Sequence, residues 1–204
     1  MRVLRAGDGA LLVETADLAT AHRLNAALRK DPPPGVVDVV PGERTVLVVA
    51  NPSVDLDRLA ARLPHLPPPE DDEAEAEPVE IPVTYDGADL DEVAELTGLS
   101  REEVVRRHSA ATYTVAYLGF SPGFGYLTGL DPALRVPRRA SPRTSVPAGS
   151  VAIADRYAAV YPSPSPGGWR LLGRSELRLW DVTRDPPSLL RPGMRVRFVP
   201  GGSP

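Results

Sequence analysis

The sequence contains no cysteine, and it lacks several other features that would reveal a chemistry at once. Without cysteine there is no disulfide, no thiol nucleophile and no zinc–thiolate site. The three histidines, His22, His65 and His108, match no metal-ligand spacing, so we expect no metal. There is also no Walker loop, no G-x-S-x-G elbow and no dinucleotide-binding fingerprint. The catalytic residues, if this chain has any, are therefore unknown from its motifs.

Long apolar runs are missing too. The longest strongly apolar run, Thr45–Ala50, is too short to cross a bilayer, and charges near the N-terminus interrupt any signal-peptide core. The net charge of -4 argues against wholesale binding to nucleic acid or to an anionic membrane. We expect a soluble, cytoplasmic protein with neither of those partners.

Proline, by contrast, is abundant, with 24 residues of 204, and it excludes long helices. Prolines followed by an acidic run predict a solvated linker over residues 67–77, with an acidic docking tail as the alternative. Residues 1–66 alternate in the order strand-strand-helix-strand-strand-helix. That order predicts a small α+β domain with its helices on one face of an antiparallel sheet.

Residues 78–204 have a different character. Two helices are predicted at about 89–97 and 101–108, the second with a capping box at Ser100 and Glu103. Short β-type segments then recur between prolines and glycines, including LRLWDV at 177–182, and predict a barrel or a sandwich. Residues 120–149 lack any sustained period but carry many apolar side chains, which indicates an ordered binding surface.

An aromatic stretch, GFSPGFGYL, occupies residues 119–127. Proline sets a turn there and the glycines permit a close backbone approach, so the rings could line a slot for a flat or apolar group. A hydrophobic plug that closes one end of a barrel is the alternative. The candidate residues, which would line a pocket or face a partner, are Phe120, Pro122, Gly123, Phe124 and Tyr126, together with Trp169.

An arginine-rich stretch follows at residues 136–150. Arginine forks held by prolines can bind a carboxylate or a phosphate in two parallel hydrogen bonds. A solvated basic loop and, for Arg143, a structural network are the alternatives. Arg139 would tolerate lysine if it faces solvent. The candidate anion-binding residues are Arg138, Arg143, Thr144 and Ser150.

A third stretch, SPSPGGWRLLGR, covers residues 163–174. Gly167 and Gly168 could expose backbone N–H groups as an anion-binding nest, although a plain hairpin turn explains the pair equally well. Trp169 offers a stacking surface and an indole donor. Arg174 is a further candidate cation for an anionic group.

These stretches, with the closing LLRPGMRVRFVP, resemble a family known as the B subunit of 5-oxoprolinase, allophanate hydrolase subunit 1 or sporulation-kinase inhibitor, of the carboxyltransferase subdomain C and D type. The motifs occur in family order across residues 108–199, and residues 1–66 fit as well. The resemblance implies a cyclophilin-like β-barrel behind a smaller α+β domain. One departure is the pair Ala158 and Ala159, where a Thr-Gly is usual, which affects the expected shape of that segment.

The resemblance also implies a function. Such chains are one component of a three-part 5-oxoprolinase that uses ATP to open 5-oxo-L-proline to L-glutamate, with the A and C subunits as partners. The chain alone is expected to be inactive, and which of the three polypeptides binds ATP is open. Alternatives are inhibition of a sensor histidine kinase and a binding role in a urea- or allophanate-type carboxylase–hydrolase system. No biotin-carrier motif is present, so we expect no biotin on this chain.

Overall fold

The computed structural model describes residues 1–66 and 77–201. Its packing divides the chain into two compact units, with the division after residue 75. That division falls inside the predicted linker, whose residues 67–76 lie outside the described residues, so the linker itself stays a prediction. The two units are described separately.

Residues 1–66 fold as a four-stranded antiparallel sheet with two α-helices, in the predicted order. Side chains of β4 are buried at every second position and pack with Leu24 and Leu28 of α1, because strand side chains alternate between faces. Asp17 accepts a hydrogen bond from the Thr20 backbone N–H at the start of α1. The elements are β1 (Arg2–Arg5), β2 (Ala10–Glu14), α1 (Leu18–Lys30), β3 (Val36–Pro41), β4 (Thr45–Ala50) and α2 (Leu56–Arg62), with the strands ordered β1-β2-β4-β3.

Residues 77–201 form a barrel-like domain with two α-helices. Seven strands make one sheet in the order β12-β9-β10-β7-β6-β13-β5, while β8 and β11 pair separately. The elements are β5 (Val79–Val83), α3 (Leu90–Thr97), α4 (Arg101–Ala110), β6 (Thr112–Leu118), β7 (Gly125–Thr128), β8 (Arg143–Val146), β9 (Ser150–Ala154), β10 (Tyr157–Val160), β11 (Ser165–Gly167), β12 (Arg170–Arg174) and β13 (Arg195–Pro200).

The two edges of the large sheet meet at one bridge. Thr84, which follows β5, and Arg174, at the end of β12, exchange two backbone hydrogen bonds of 2.9 Å. The bridge nearly closes the sheet on itself, which satisfies edge groups that would otherwise be unpaired. The expected α+β fold with a β-barrel is therefore confirmed.

The predicted helices and caps are also present. Gly98 ends α3 in the left-handed conformation, with φ of 67°. The Ser100 side chain then accepts a hydrogen bond of 3.2 Å from the Glu103 backbone N–H and starts α4.

Two predictions about strands were wrong. The stretch 120–149 is less irregular than expected, since it contains β7 and β8. Residues 177–182 do not form a strand, and only an isolated bridge joins Trp180 to Ser188. Pro186 and Pro187 lie opposite this segment and have no N–H to donate, so a longer ladder cannot form there.

The large sheet has a core on each face. Along β9, Val151 and Ile153 point into the larger core, while Ala152 and Ala154 point into a smaller one. The smaller core contains aromatic rings and Val146 of β8. Small alanine side chains on the sheet leave room for those rings.

His108 lies inside the barrel domain, near the end of α4 as the sequence predicts. Its ring is fully buried, its Nδ1 is 2.8 Å from the Tyr85 hydroxyl, and its centroid is 4.4 Å from that of Phe198. Burial lowers the pKa of His108 to about 3, because the protonated ring would lose its hydration. The buried ring is therefore neutral.

This burial predicts a pH dependence of stability. An unfolded histidine titrates near 6.5 and the folded one at about 3, so the unfolded chain binds one more proton between these values. The free energy of unfolding should fall on acidification through this window, by up to about 1.4 kcal/mol per pH unit from this residue. Urea unfolding at several pH values in this window gives the free energy of unfolding as a function of pH. This free energy should depend less steeply on pH for His108→Phe than for the native chain. An equal dependence on pH in both proteins would mean that His108 takes up its proton in the folded chain over the same pH range as in the unfolded chain.

Candidate functional site

A buried carboxylate organises the charged part of the barrel domain. Asp89 immediately precedes α3 and is 1% exposed. Its Oδ1 accepts hydrogen bonds from Arg139 at 2.8 Å and Arg143 at 2.7 Å. Its Oδ2 accepts from Arg143 at 2.9 Å and from the Leu171 backbone N–H at 2.7 Å. Four donors thus satisfy one carboxylate.

A second carboxylate extends this group. Glu92, one turn along α3, accepts from Arg139 at 3.3 Å and forms an ion pair with Arg170. Arg170 also donates from Nε to the Pro137 carbonyl at 3.3 Å. We call Asp89, Glu92, Arg139, Arg143 and Arg170 the Asp89 cluster.

The cluster keeps Asp89 ionised. Burial alone would raise the pKa of Asp89, but the hydrogen bonds from Arg143 and Leu171 outweigh it, so its pKa lies below the ordinary value. In turn, the hydrogen bond to Asp89 raises the pKa of Arg143. The charges therefore stabilise one another within the fold.

This geometry bears on the predicted roles of two arginines. Arg143 does use its planar fork in a two-point contact, but the partner is Asp89. Arg139 does not simply face solvent, since its side chain is 30% exposed and also binds Asp89. Binding of an external anion by Arg143 stays a prediction, and the contact that the structure contains is an internal ion pair.

The other candidate polar residues are spread over the barrel domain. Arg138 is exposed, and its guanidinium carbon lies 5.8 Å from the centroid of the Trp169 ring, a cation–π contact. Arg174 forms an ion pair with Asp86. Thr144 is exposed on β8, whereas Ser150 is buried at the start of β9.

The aromatic stretch forms the turn between β6 and β7, with Phe124 at its centre. Phe124 is 2% exposed, and its ring makes edge-to-face contacts with four others at centroid distances of 5.2 to 5.6 Å. Such a ring belongs to the smaller core, on the face of the sheet opposite the larger core, so a plug at one end of the barrel stays a prediction. The four partners are Phe120, Tyr126, Tyr161 and Trp169.

Phe120 differs from Phe124 in both exposure and backbone. It is 62% exposed, and it adopts a left-handed φ of 67°, which is strained for a residue with a side chain. The turn packs closely against Trp180 at Gly123, since a Cβ on this glycine would lie 2.9 Å from the Trp180 Cβ. Partly exposed Ser121 and exposed Pro122 complete the turn. The fold thus presents one large ring to its surroundings on a rigid support.

The glycine pair has a packing role. Gly167 belongs to β11 and pairs with Arg143 of β8. A Cβ there would lie 2.2 Å from the Tyr161 hydroxyl, so only glycine fits. The Gly168 carbonyl accepts a hydrogen bond of 2.7 Å from the Arg139 backbone N–H. The pair is not the turn of a hairpin between β11 and β12, because these strands belong to different sheets, and its role as an anion-binding nest stays a prediction.

Sequence reasoning missed several residues of this region. Asp89 and Glu92 looked like ordinary residues at the start of a helix, yet they bind arginines about fifty positions away. Tyr117 and Tyr157 also surround Tyr126, and Tyr117 stacks on it at 4.5 Å. The available signal was weak, namely an aspartate and a glutamate one helical turn apart in a chain that also has an arginine-rich stretch.

Two kinds of feature are absent from the described residues, 1–66 and 77–201. No group of three or more His, Asp or Glu side chains there is placed to hold a metal ion. No helix in these two ranges is long and apolar enough to span a membrane.

Comparison with known proteins gives the family. The model of the carboxyltransferase domain, subdomain C and D, matches residues 1–190. The chain belongs to this family. A relative from Escherichia coli O157:H7, the B subunit of 5-oxoprolinase, is 44% identical over 203 residues, which cover 95% of this chain and 93% of that protein.

Solved structures agree with this assignment. TTHA0988 is 42% identical with a TM-score of 0.86 over 96% of this chain, and this chain spans 41% of that longer one. The Kluyveromyces lactis urea carboxylase is 23% identical with a TM-score of 0.73 over 97% of this chain and 21% of its own. The latter likeness concerns the fold alone.

The departure at Ala158 and Ala159 does not strain the backbone. Both residues are fully buried in β10, and they pair with Ile153 and Ala152 of β9 in regular register. The positive-φ residue of this region is instead Asp155, in the turn between β9 and β10.

Removing the charge of Asp89 should destabilise the barrel domain strongly. Asp89→Asn keeps the shape but leaves Arg143 without its counter-ion and Arg139 with Glu92 alone, so we expect a loss of about 3–5 kcal/mol in the free energy of unfolding. Asp91→Asn is the matched control on the same helix, since its pair with Arg101 is exposed and should contribute at most about 1 kcal/mol. Urea unfolding of both variants measures the difference, and similar losses would contradict a central role for Asp89.

The two phenylalanines of the aromatic turn should contribute very differently to the free energy of unfolding. Phe124→Ala should cost about 3–5 kcal/mol, as truncation of a buried ring does. Phe120→Ala should change stability by less than about 1 kcal/mol, because the ring is mostly exposed. Thermal and urea unfolding compare the variants, and a large loss for Phe120→Ala would place its ring in the core.

Proposed function

We propose that this chain is the B subunit of a multi-component, ATP-dependent 5-oxoprolinase, which opens the lactam of 5-oxo-L-proline to L-glutamate. The main support is the likeness to the Escherichia coli protein of that name, which extends over nearly the whole length of both chains. The proposed partners are the A and C subunits of the same enzyme, and the proposed location is the cytoplasm.

The chemistry fits a chain that has binding groups but no catalytic dyad. An unactivated lactam resists water, and transfer of a phosphoryl group from ATP to the amide oxygen would make the carbonyl carbon a better electrophile. Water then adds at that carbon and the ring C–N bond breaks, with a proton passing to the departing nitrogen, which leaves an acyl phosphate. A second water hydrolyses the acyl phosphate to the carboxylate of glutamate and inorganic phosphate. These steps need cations and positioned donors around anionic groups, which one polypeptide can supply while another holds the nucleotide.

Within this chain, the contribution would come from groups that the fold leaves accessible. Arg138 is exposed and oriented by its contact with Trp169, so its charge is available to an anionic substrate group. Arg143 would hold the start of β8 in place, because its guanidinium is bound by Asp89. Phe120 is suited to contact another polypeptide of the enzyme, since burial of an exposed ring on association is favourable.

Two alternative functions have less support. No particular surface of the described residues indicates inhibition of a sensor histidine kinase. A binding role in a carboxylase–hydrolase system would match the urea carboxylase, but that likeness concerns the fold alone. Either alternative would be favoured if the chain gave no 5-oxoprolinase activity with the A and C subunits.

Reconstitution tests the proposal. The purified chain alone should neither hydrolyse ATP nor release glutamate from 5-oxo-L-proline, whereas the chain mixed with the A and C subunits should do both. Coupled measurement of glutamate and phosphate records the activity. Phe120→Ala should weaken association in a pull-down by roughly tenfold or more, as the loss of an interface anchor does.

Arg195→Ala, an exposed change on β13, is the control for that pull-down. Activity of the isolated chain would contradict a shared site, and inactivity of the complete mixture would contradict the proposed function itself.

A further inference from the structure

Arg138 is the arginine of the arginine-rich stretch that has no carboxylate partner. Arg139 and Arg143 both bind Asp89. Arg138 is exposed, and no carboxylate in the described part of the chain forms an ion pair with it. Its positive charge is therefore available to a negative group from outside the chain.

An aromatic ring supports the Arg138 side chain. The guanidinium carbon lies 5.8 Å from the centroid of the Trp169 ring. Trp169 is 4% exposed, and its ring is held by edge-to-face contacts of 5.6 Å with both Phe124 and Tyr126. The N–H groups of a guanidinium lie in its own plane, so contact with a ring leaves them for another acceptor. The support thus orients the side chain and keeps its donors free.

The backbone on both sides of Arg138 is fixed as well. The Pro137 carbonyl accepts a hydrogen bond of 3.3 Å from Arg170, and the Arg139 backbone N–H donates to the Gly168 carbonyl at 2.7 Å. Gly168 immediately precedes Trp169, so the second bond also keeps the Arg138 backbone beside the supporting ring. A rigid backbone reduces the ordering cost of binding.

The charge at this position matches a carboxylate. A carboxylate carries one negative charge over two oxygens, which fit two parallel N–H groups of one guanidinium. The nearby cations of Arg139, Arg143 and Arg170 are bound to the carboxylates of the Asp89 cluster. A nucleotide phosphate chain, with several negative charges, would therefore find one free guanidinium beside Trp169. The composition favours a singly charged group.

We propose that Arg138 binds the carboxylate of 5-oxo-L-proline and thereby selects this acidic lactam over uncharged lactams. The inference rests on the proposed function for the identity of the substrate. It goes further by assigning one group of that substrate to one side chain of this polypeptide.

The assignment has a kinetic consequence. The carboxylate of 5-oxo-L-proline is not attached to the carbonyl carbon that reacts, and its charge is the same in the substrate, in the transition state and in glutamate. A contact that is equally strong in ground state and transition state changes KM and leaves kcat unchanged. A contact with the transferring phosphoryl group would instead change kcat, because charge is redistributed there during the reaction.

Steady-state kinetics of the chain mixed with the A and C subunits tests this consequence. Arg138→Ala should raise KM for 5-oxo-L-proline by about tenfold or more, as loss of charge-assisted hydrogen bonds does, with kcat and KM for ATP nearly unchanged. A lower kcat with native KM for 5-oxo-L-proline, or a raised KM for ATP, would assign Arg138 to phosphate and overturn the proposal.

Two further variants separate the guanidinium fork from diffuse charge. Arg135→Ala removes an exposed charge three residues earlier and should leave both constants unchanged. An equal rise of KM in Arg135→Ala and Arg138→Ala would contradict a specific contact. Arg138→Lys retains the charge without the planar fork, so its KM should stay above the native value. Native KM in the lysine variant would overturn the two-point contact.

Direct binding distinguishes this inference from the proposed function. The full chain is labelled with ¹⁵N-tryptophan, and the indole N–H signal of Trp169 is followed by NMR, with that of Trp180 as internal reference. 5-Oxo-L-proline should shift the Trp169 signal saturably, whereas 2-pyrrolidone, the same lactam without the carboxylate, should not. No saturable shift, or an equal response to 2-pyrrolidone, would overturn the carboxylate contact even if the complex is active. Inactivity of the complete mixture would contradict the proposed function, and the Trp169 signal would still decide whether Arg138 binds a carboxylate.

Discussion

The barrel domain depends on the ionised and nearly inaccessible carboxylate of Asp89. Its four hydrogen bonds connect the start of α3 with β8, with the loop before β8 and with β12. Burial of a charge costs several kcal/mol per ion unless every lone pair is satisfied, so the arginines around Asp89 are a structural requirement. The arginine stretch therefore takes its shape from an acidic residue that precedes it by some fifty positions.

This constraint divides the arginines of the barrel domain into two groups. Arg139, Arg143 and Arg170 are committed to Asp89 and Glu92, and they hold neighbouring segments in place. Arg135 and Arg138 lie at the surface, beside Pro137, whose carbonyl accepts a hydrogen bond from Arg170. An exposed cation on a fixed backbone loses little entropy when it binds an anion, which suits the role proposed for Arg138.

The aromatic turn shows the same division among apolar side chains. Phe124 contributes its ring to a core, whereas Phe120, four residues earlier, keeps its ring outside on a strained backbone. Alanine residues on β9 and β10 leave the space that the buried rings occupy. The slot and the barrel-end plug both stay predictions, since one ring fills the smaller core and the other is exposed.

Local sequence was enough to predict the alternating strands and helices of residues 1–66, the cap at Ser100 and most strands of the barrel. These elements depend on periodicity and turn chemistry within a few residues, and the family motifs lie in the same short stretches. The partners of the arginines, the closure at Thr84 and Arg174, and the failure of 177–182 to form a strand emerged only from the folded chain. Each of these depends on which distant segment lies opposite, and electrostatic and hydrogen-bond partners far apart in the chain leave no local periodic signal.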